Sequence, residues 1–468
     1  MNLAAAVLTM LPLVSAPTPA LTWTPCGTEQ EPTAQCSQIE VPIDRAHPET
    51  GIAHLPLTRL PAADPKHRVG SLLVNPGGPG GSGVGFVRFG GLDTKVIGSA
   101  RKPLRDRFDI IGFDPRGVWF SDPKISCAQS KLYDPKIGLF PATNQQYAAF
   151  VAHNRAAGED CLAKTGPMLG HVDTQSAAED IDAIRNALGE QKISWLGVSY
   201  GTELGAVYAS KHPDRVRTMV LDGAVDHARP TRQAMIEEAA ATEDALLRFA
   251  AWCDRSTDCA LHGKNALARY DDLVTHGAYA KALGRKATGE ELASGAYGHL
   301  YLLAEWPTLS RALADPDAST LATSSQFASD TYGAYRSIGC QDLPSPFTGP
   351  ADLRAAARTI RAVAPHSWRY TEYWDLSAGC TGWPLPALNP PQPHPVHGAP
   401  PILVVGGAHD PATPLPWAHG LAASIDRSVL LTYLGDGHTG LLNSKCVQLA
   451  EARYLVSGVT PPRGEFCG

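Results

Sequence analysis

The segment Gly197-Val198-Ser199-Tyr200-Gly201 sets one hydroxyl in a tight, glycine-flanked turn. A serine alcohol attacks an acyl carbon only when three other groups assist it. A base must take its proton, an acid must orient that base, and two N–H groups must receive the charge that develops on the carbonyl oxygen. The chain supplies candidates for each. Asp410 lies in Ala408-His409-Asp410-Pro411-Ala412-Thr413-Pro414, and His438 in Gly435-Asp436-Gly437-His438-Thr439-Gly440. Both follow the serine in the order Ser, acid, His. Asp436 and His409 compete for the same two roles. For the oxyanion, one donor is the amide of Tyr200. The second is placed at Gly78, in the run Pro76–Gly83 (PGGPGGSG), where bare backbone can approach a reacting carbonyl. The competing reading of that run, a phosphate-binding loop, lacks a Walker lysine.

These residues need strands to aim them. Short apolar, β-branched runs at Gly70–Asn75, Phe108–Asp114, Ile193–Val198, Val216–Asp222, Ile402–Gly407 and Val429–Leu434 read as parallel strands of an α/β sheet. The runs Ile39–Ile43 and Leu55–Leu60 read as antiparallel edge strands. The serine turn follows one strand and opens a helix; Asp410 and His438 each follow another. Thr174–Leu188 reads as a helix with Thr174 as N-cap and Gly189 just past its end. From about residue 226 to 397 the chain turns Ala-rich and helical in period, as in Arg232–Trp252 and Ala351–Ala364, and no strand run stands out. A Pro-rich connector, Pro384–Pro401, closes this block. The expected organisation is a core over 21–225 and 398–468, with a helical cap, 226–397, inserted above the C-terminal strand edges, where open α/β sheets bind ligands.

Hydrophobic residues make up 44% of the 468 and charged ones 18%, a globular profile. A net charge of −6 gives no electrostatic case for nucleic acid or an anionic membrane. Residues 1–20 are apolar, end in small residues and are interrupted by Pro12. They are too short to span a bilayer and fit a secretory signal peptide, although no Lys or Arg precedes them. The ten cysteines, Cys26, Cys36, Cys127, Cys161, Cys253, Cys259, Cys340, Cys380, Cys446 and Cys467, include no CxxC pair, so zinc spacing is absent. In sequence order they would pair at short to moderate separations, but spacing alone leaves the connectivity open. An even count and a leader favour disulfides and an extracytoplasmic location.

Several segments together resemble the secreted tripeptidyl-aminopeptidase and prolyl-aminopeptidase-like α/β-hydrolases. They are Asn75–Gly83 (NPGGPGGSG), Gly112–Asp122 (GFDPRGVWFSD), Asp180–Gly189, Gly197–Gly205 (GVSYGTELG), Ile338–Asp342, Cys380–Pro384, Asp410–Pro414 (DPATP) and Gly437-His438. The resemblance covers nearly the whole chain after the leader. It implies the α/β-hydrolase fold, a Ser199–Asp410–His438 triad, hydrolysis near a free N-terminus, and neither a metal nor an organic cofactor. Two positions depart from the pattern: Glu203, where an uncharged side chain is usual, and Trp119, where glycine is usual. Glu203 either pairs with a nearby base or senses substrate charge; Trp119 either narrows the pocket or packs in the core.

An exopeptidase must hold a substrate ammonium, and a desolvated cation needs a carboxylate. Asp342, Glu237 and Glu238 are the candidates for that role. The leading expectation is a secreted serine exopeptidase acting on peptides. An esterase or amidase of the same fold, acting on a small acyl or amide compound, is the alternative, and a non-catalytic binding protein is the third reading. The sequence carries no indication of oligomeric state.

Overall fold

The computed structural model describes residues 21–468; the expected leader lies outside the described residues. The main sheet has ten strands. Along the chain these are β1 (Thr24–Pro25), β2 (Gln35–Pro42), β3 (Ile52–Leu60), β4 (Gly70–Asn75), β5 (Phe108–Phe113), β6 (Ile193–Val198), β7 (Val216–Asp222), β10 (Ile402–His409), β11 (Ser428–Asp436) and β12 (Phe466–Cys467). A short hairpin of β8 (Ala278–Ala280) and β9 (Arg285–Ala287) stands apart from it. The spatial order is β1-β2-β3-β5-β4-β6-β7-β10-β11-β12. The first three strands and the β3–β5 pair run antiparallel, and every later pairing is parallel.

The central strands are buried on both faces, which is why they read as continuous apolar runs. Successive residues serve opposite cores. Leu73, Ile111, Trp195, Leu221 and Val404 pack on one side, and Leu72, Ile110, Leu196, Val220 and Leu403 on the other. Register brings the strand ends level: Asn75 pairs with Gly197, Val198 with Asp222, and Asp222 with Val405. The loops after β4, β6, β7, β10 and β11 therefore leave from one edge of the sheet.

Three local expectations change. The helix over Thr174–Ala187 is capped by Asp173, whose side chain accepts the Ser176 amide at 2.9 Å. Thr174 is its first residue, and its own amide and hydroxyl donate to Asp342 instead. The inserted block between β7 and β10 is mainly helical, as expected, but it also carries the β8–β9 hairpin, whose three-residue strands are too short to show alternation. Its apolar cluster extends beyond 226–397, because Leu132, Phe150, Ala157 and Cys161, from between β5 and β6, pack into it.

All ten cysteines are paired: Cys26–Cys36, Cys127–Cys161, Cys253–Cys259, Cys340–Cys380 and Cys446–Cys467. Among the described residues no helix is long and apolar enough to cross a membrane. Cys340–Cys380 ties two cap helices across 40 residues, whereas Cys253–Cys259 spans 6. By loop-closure entropy, removing the first should cost about 4 kcal/mol and the second about 2 kcal/mol. Paired Cys→Ser variants compared by urea unfolding are expected to show that ranking. Equal losses would contradict it.

Candidate active site

β6 runs straight into the helix Tyr200–Lys211, and Ser199 sits at the junction with φ 58° and ψ −127°. A non-glycine residue rarely holds such angles unless its surroundings impose them. Here they do. The Ser199 amide donates to the Asp222 carbonyl at 2.8 Å, and the Trp195 indole N–H donates to the Gly201 carbonyl at 3.1 Å. The flanking glycines make the close approach possible. A Cβ on Gly197 would lie 2.2 Å from the Gly201 carbonyl oxygen, and one on Gly201 2.7 Å from that of Asn75.

The glycine loop after β4 rests on this turn. Gly77 has φ 92°, and a Cβ there would meet the Val198 carbonyl oxygen at 2.5 Å and the Ser199 Cβ at 2.9 Å. The Asn75 side chain holds the loop by accepting the Gly77 amide at 3.0 Å. Gly78 and Tyr200 both line the cleft that Ser199 faces.

Asp410 and His438 meet beyond the ends of β10 and β11. His438 Nδ1 lies 2.9 Å from both Asp410 oxygens, and its Nε2 is buried without a hydrogen-bond partner. Asp410 is fully buried and also accepts the Ala412 and Thr413 amides and the Thr413 hydroxyl, each at 2.9 Å. Burial opposes its ionisation, but His438 and those amides outweigh burial and hold its carboxyl below the usual value. For His438 the balance is similar: burial disfavours its charge, yet Asp410, Glu372 and Asp222 together raise its pKa. Neither competing residue joins this pair. His409 bonds Asp244, and Asp436 pairs with Arg248, both on the cap helix Thr231–Arg255.

The histidine loop and the serine turn share an anchor in Asp222. Its carbonyl holds the Ser199 amide, while its carboxylate accepts the Gly440 amide at 3.0 Å and the Leu441 amide at 2.6 Å. Burial pushes this carboxyl up to about 6. The next residue, Gly223, packs so close that a Cβ would lie 3.1 Å from His438 Cε1. Sequence reasoning passed over Asp222, although an acid closing a parallel strand at the ligand edge was a usable signal.

Three carboxyl groups line the cleft with Ser199: Glu203, Asp342 and Glu372. Glu203 Oε1 lies 2.9 Å from His227 Nδ1, while His227 Nε2 faces the Asn389 carbonyl at 2.9 Å. The ion pair with Glu203 favours the charged form of His227. Burial resists this, but Glu203 carries its pKa up to about 9. Glu203 thus has the nearby base, and it also faces the cleft. Asp342 accepts the Thr174 amide and hydroxyl and the Asn389 side-chain amide, and burial raises its pKa. Glu372 accepts the Tyr301 hydroxyl at 2.8 Å, and burial lifts it to about 7.

The remaining candidates lie elsewhere. Glu237 is held by Arg229 and the Trp417 indole. Glu238 is fully buried and accepts the Glu372 and Tyr373 amides, anchoring the start of the helix Glu372–Gly379. Trp119 is 45% exposed with φ 42°, against Phe120, so the structure places it in neither the pocket nor the core. The arginine of the motif Gly112–Asp122 has a structural partner: Arg116 and Asp180 form a buried two-pronged pair at 2.7 Å. Among the described residues no cluster of three His, Cys, Asp or Glu side chains is set to hold a metal ion.

Comparison with known proteins agrees with this architecture. A family model for the alpha/beta hydrolase fold matches residues 70–444. Serine protease Hip1 of Mycobacterium tuberculosis is 33% identical over 95% of this chain and 90% of its own length. Tripeptidyl aminopeptidase of Streptomyces coelicolor is 33% identical over 92% and 83%, and carboxylesterase B of Mycobacterium tuberculosis 33% over 96% and 90%. The chain belongs to the α/β-hydrolase fold family. Within that family it is a serine hydrolase, similar over most of its length to a serine protease, a tripeptidyl aminopeptidase and a carboxylesterase.

The serine turn leaves no room for a methyl group. Gly197→Ala is expected to destabilise the protein by about 3 kcal/mol through overpacking. Gly189→Ala, in open space at φ 71°, should cost only about 1 kcal/mol. Thermal unfolding of the two variants checks the difference; similar losses would show that the turn tolerates a Cβ.

Proposed function

We propose that this protein is a serine exopeptidase that releases short peptides or single residues from free N-termini. Ser199 Oγ attacks the scissile carbonyl while His438 Nε2 takes its proton, and Asp410 holds the imidazole in the required tautomer. The amides of Tyr200 and Gly78 receive the oxyanion. His438 then gives the proton to the departing amine, and water deprotonated by the same nitrogen releases the acyl group. The cap, 226–397, covers the cleft above a core of 21–225 and 398–468.

The observation that carries this reading is the acidic wall around the serine. Glu203, Asp342 and Glu372 come from three separate elements and face one cleft, a setting suited to a substrate ammonium. Glu203 already faces an imidazolium, and Asp342 accepts three donors. Glu372 has one side-chain donor, Tyr301, so it is assigned as the acid that meets the amine. The tripeptidyl aminopeptidase relative supports the exopeptidase class. Five disulfides support an oxidising, extracytoplasmic location, with residues 1–20 as the leader.

A second reading, hydrolysis of a small ester or amide, is favoured by the equally similar carboxylesterase B relative. A tripeptidyl p-nitroanilide, its N-acetylated form and a simple p-nitrophenyl ester separate the two. The free-amine anilide is expected to be turned over at least tenfold better than the blocked one, and His438→Gln should lower kcat on the order of 10⁴-fold. Rapid hydrolysis of the ester with none of the free-amine anilide would overturn the exopeptidase reading.

The raised pKa of His438 sets the acid limb. Its base form is lost as pH falls through a midpoint above the ordinary histidine value of 6.5. The kcat/KM profile for the free-amine anilide should show this midpoint; one well below 6.5 would contradict it.

A further inference from the structure

The segment that follows the cap helix Gly289–His299 touches the base directly. The His438 amide donates to the Tyr301 carbonyl at 2.8 Å, and the two rings lie 4.7 Å apart. Asn443 fastens the contact. Its Nδ2 reaches the carbonyls of Tyr301, His438 and Thr439 at 2.9–3.1 Å, and its Oδ1 accepts the Leu303 amide at 3.2 Å. Gly437 permits this close approach, since a Cβ there would lie 2.6 Å from the Tyr301 carbonyl oxygen. At its other end, Tyr301 donates its hydroxyl to Glu372, which lines the cleft. One cap residue therefore grips the base by backbone and ring and holds a carboxyl beside it.

We propose that Tyr301 is a positioning residue that couples substrate recognition to the base: a free amine that pairs with Glu372 offsets the charge beside His438 and frees the imidazole to take the Ser199 proton. This rests on the exopeptidase assignment and deepens it. With Glu372 unpaired, its charge stabilises the imidazolium, the form that cannot act as a base. An N-terminal ammonium removes that stabilisation as it binds, so the base is readied by the feature that defines the substrate. A blocked N-terminus leaves that stabilisation in place.

The groups that face His438 are Asp410, Glu372 and Asp222. Those around Glu372 are His438, Asp375, Asp410 and Glu238, with the tyrosines Tyr297, Tyr301, Tyr335, Tyr370 and Tyr373. Asp410 and Asp222 are held by amides of the core loops, and Glu238 and Asp375 by Tyr297, Tyr332 and Arg336. Glu372 is the one of these groups that both neighbours His438 and lines the cleft.

The test is an NMR pH titration of ¹³C-histidine-labelled protein, with the His438 signal assigned by its loss in His438→Gln. Glu372→Gln is expected to lower the His438 midpoint by about one pH unit. Tyr301→Phe keeps the ring and carbonyl but removes a bond that favours the Glu372 carboxylate, so it should lower the midpoint by less, in the same direction. In a Ser199→Ala background, which cannot cleave it, trialanine amide should lower the midpoint but not when Glu372→Gln is added, and its N-acetyl form should do neither. Equal midpoints in all three proteins would overturn the coupling and leave the exopeptidase assignment standing. Lowered midpoints in the variants with no response to trialanine amide would overturn the coupling to free amines, and would count against the assignment itself.

Discussion

The last residue of β7 holds two loops at once, and the geometry of the cleft follows from it. The Asp222 carbonyl takes the Ser199 amide, and its carboxylate takes the amides of Gly440 and Leu441 just past His438. The serine turn stores about 1–3 kcal/mol of backbone strain, which only a rigid surround can maintain. That surround is glycine-dependent: the strand, the helix and the loop after β4 converge at separations that leave no space for a methyl group at Gly77, Gly197 or Gly201. Parallel register delivers all the participating loops to one sheet edge, so a single buried aspartate can set the relation between hydroxyl and imidazole.

The cap does more than cover this arrangement. Its helix Thr231–Arg255 reaches both core loops, pairing Asp244 with His409 beside Asp410, and Arg248 with Asp436 beside His438. Tyr301 adds the direct contact with the histidine. Three carboxyls then stand in a cleft otherwise lined largely by apolar side chains and backbone. Glu203 is balanced by the buried His227, which leaves Asp342 and Glu372 to give the cleft its acidic character.

Much of the core was legible in the sequence because its signals are local. Each central strand is a short apolar run closed by turn residues, and Ser199, Asp410 and His438 each follow such a run within a few positions. The β6 and β7 limits match the expectation residue for residue. What was not legible depends on contacts between distant segments. Glu203 meets Asn389 across 186 positions, and Asp342 meets Thr174 across 168, so neither helix reveals its partner by periodicity. The Thr174 cap failed because Asp173 occupies the cap position and accepts the Ser176 amide. Glu372 and Tyr301 were passed over because an acid at a helix start and a tyrosine after a helix are ordinary in sequence. Only the tertiary fold sets them beside His438.

The account stands on Ser199 as the nucleophile, and covalent capture tests that most directly. The protein is treated with a fluorophosphonate, digested, and the modified peptide located by mass spectrometry. One adduct on Ser199, absent from Ser199→Ala, is the expected result. An adduct on another residue, or one undiminished in Ser199→Ala, would contradict the account.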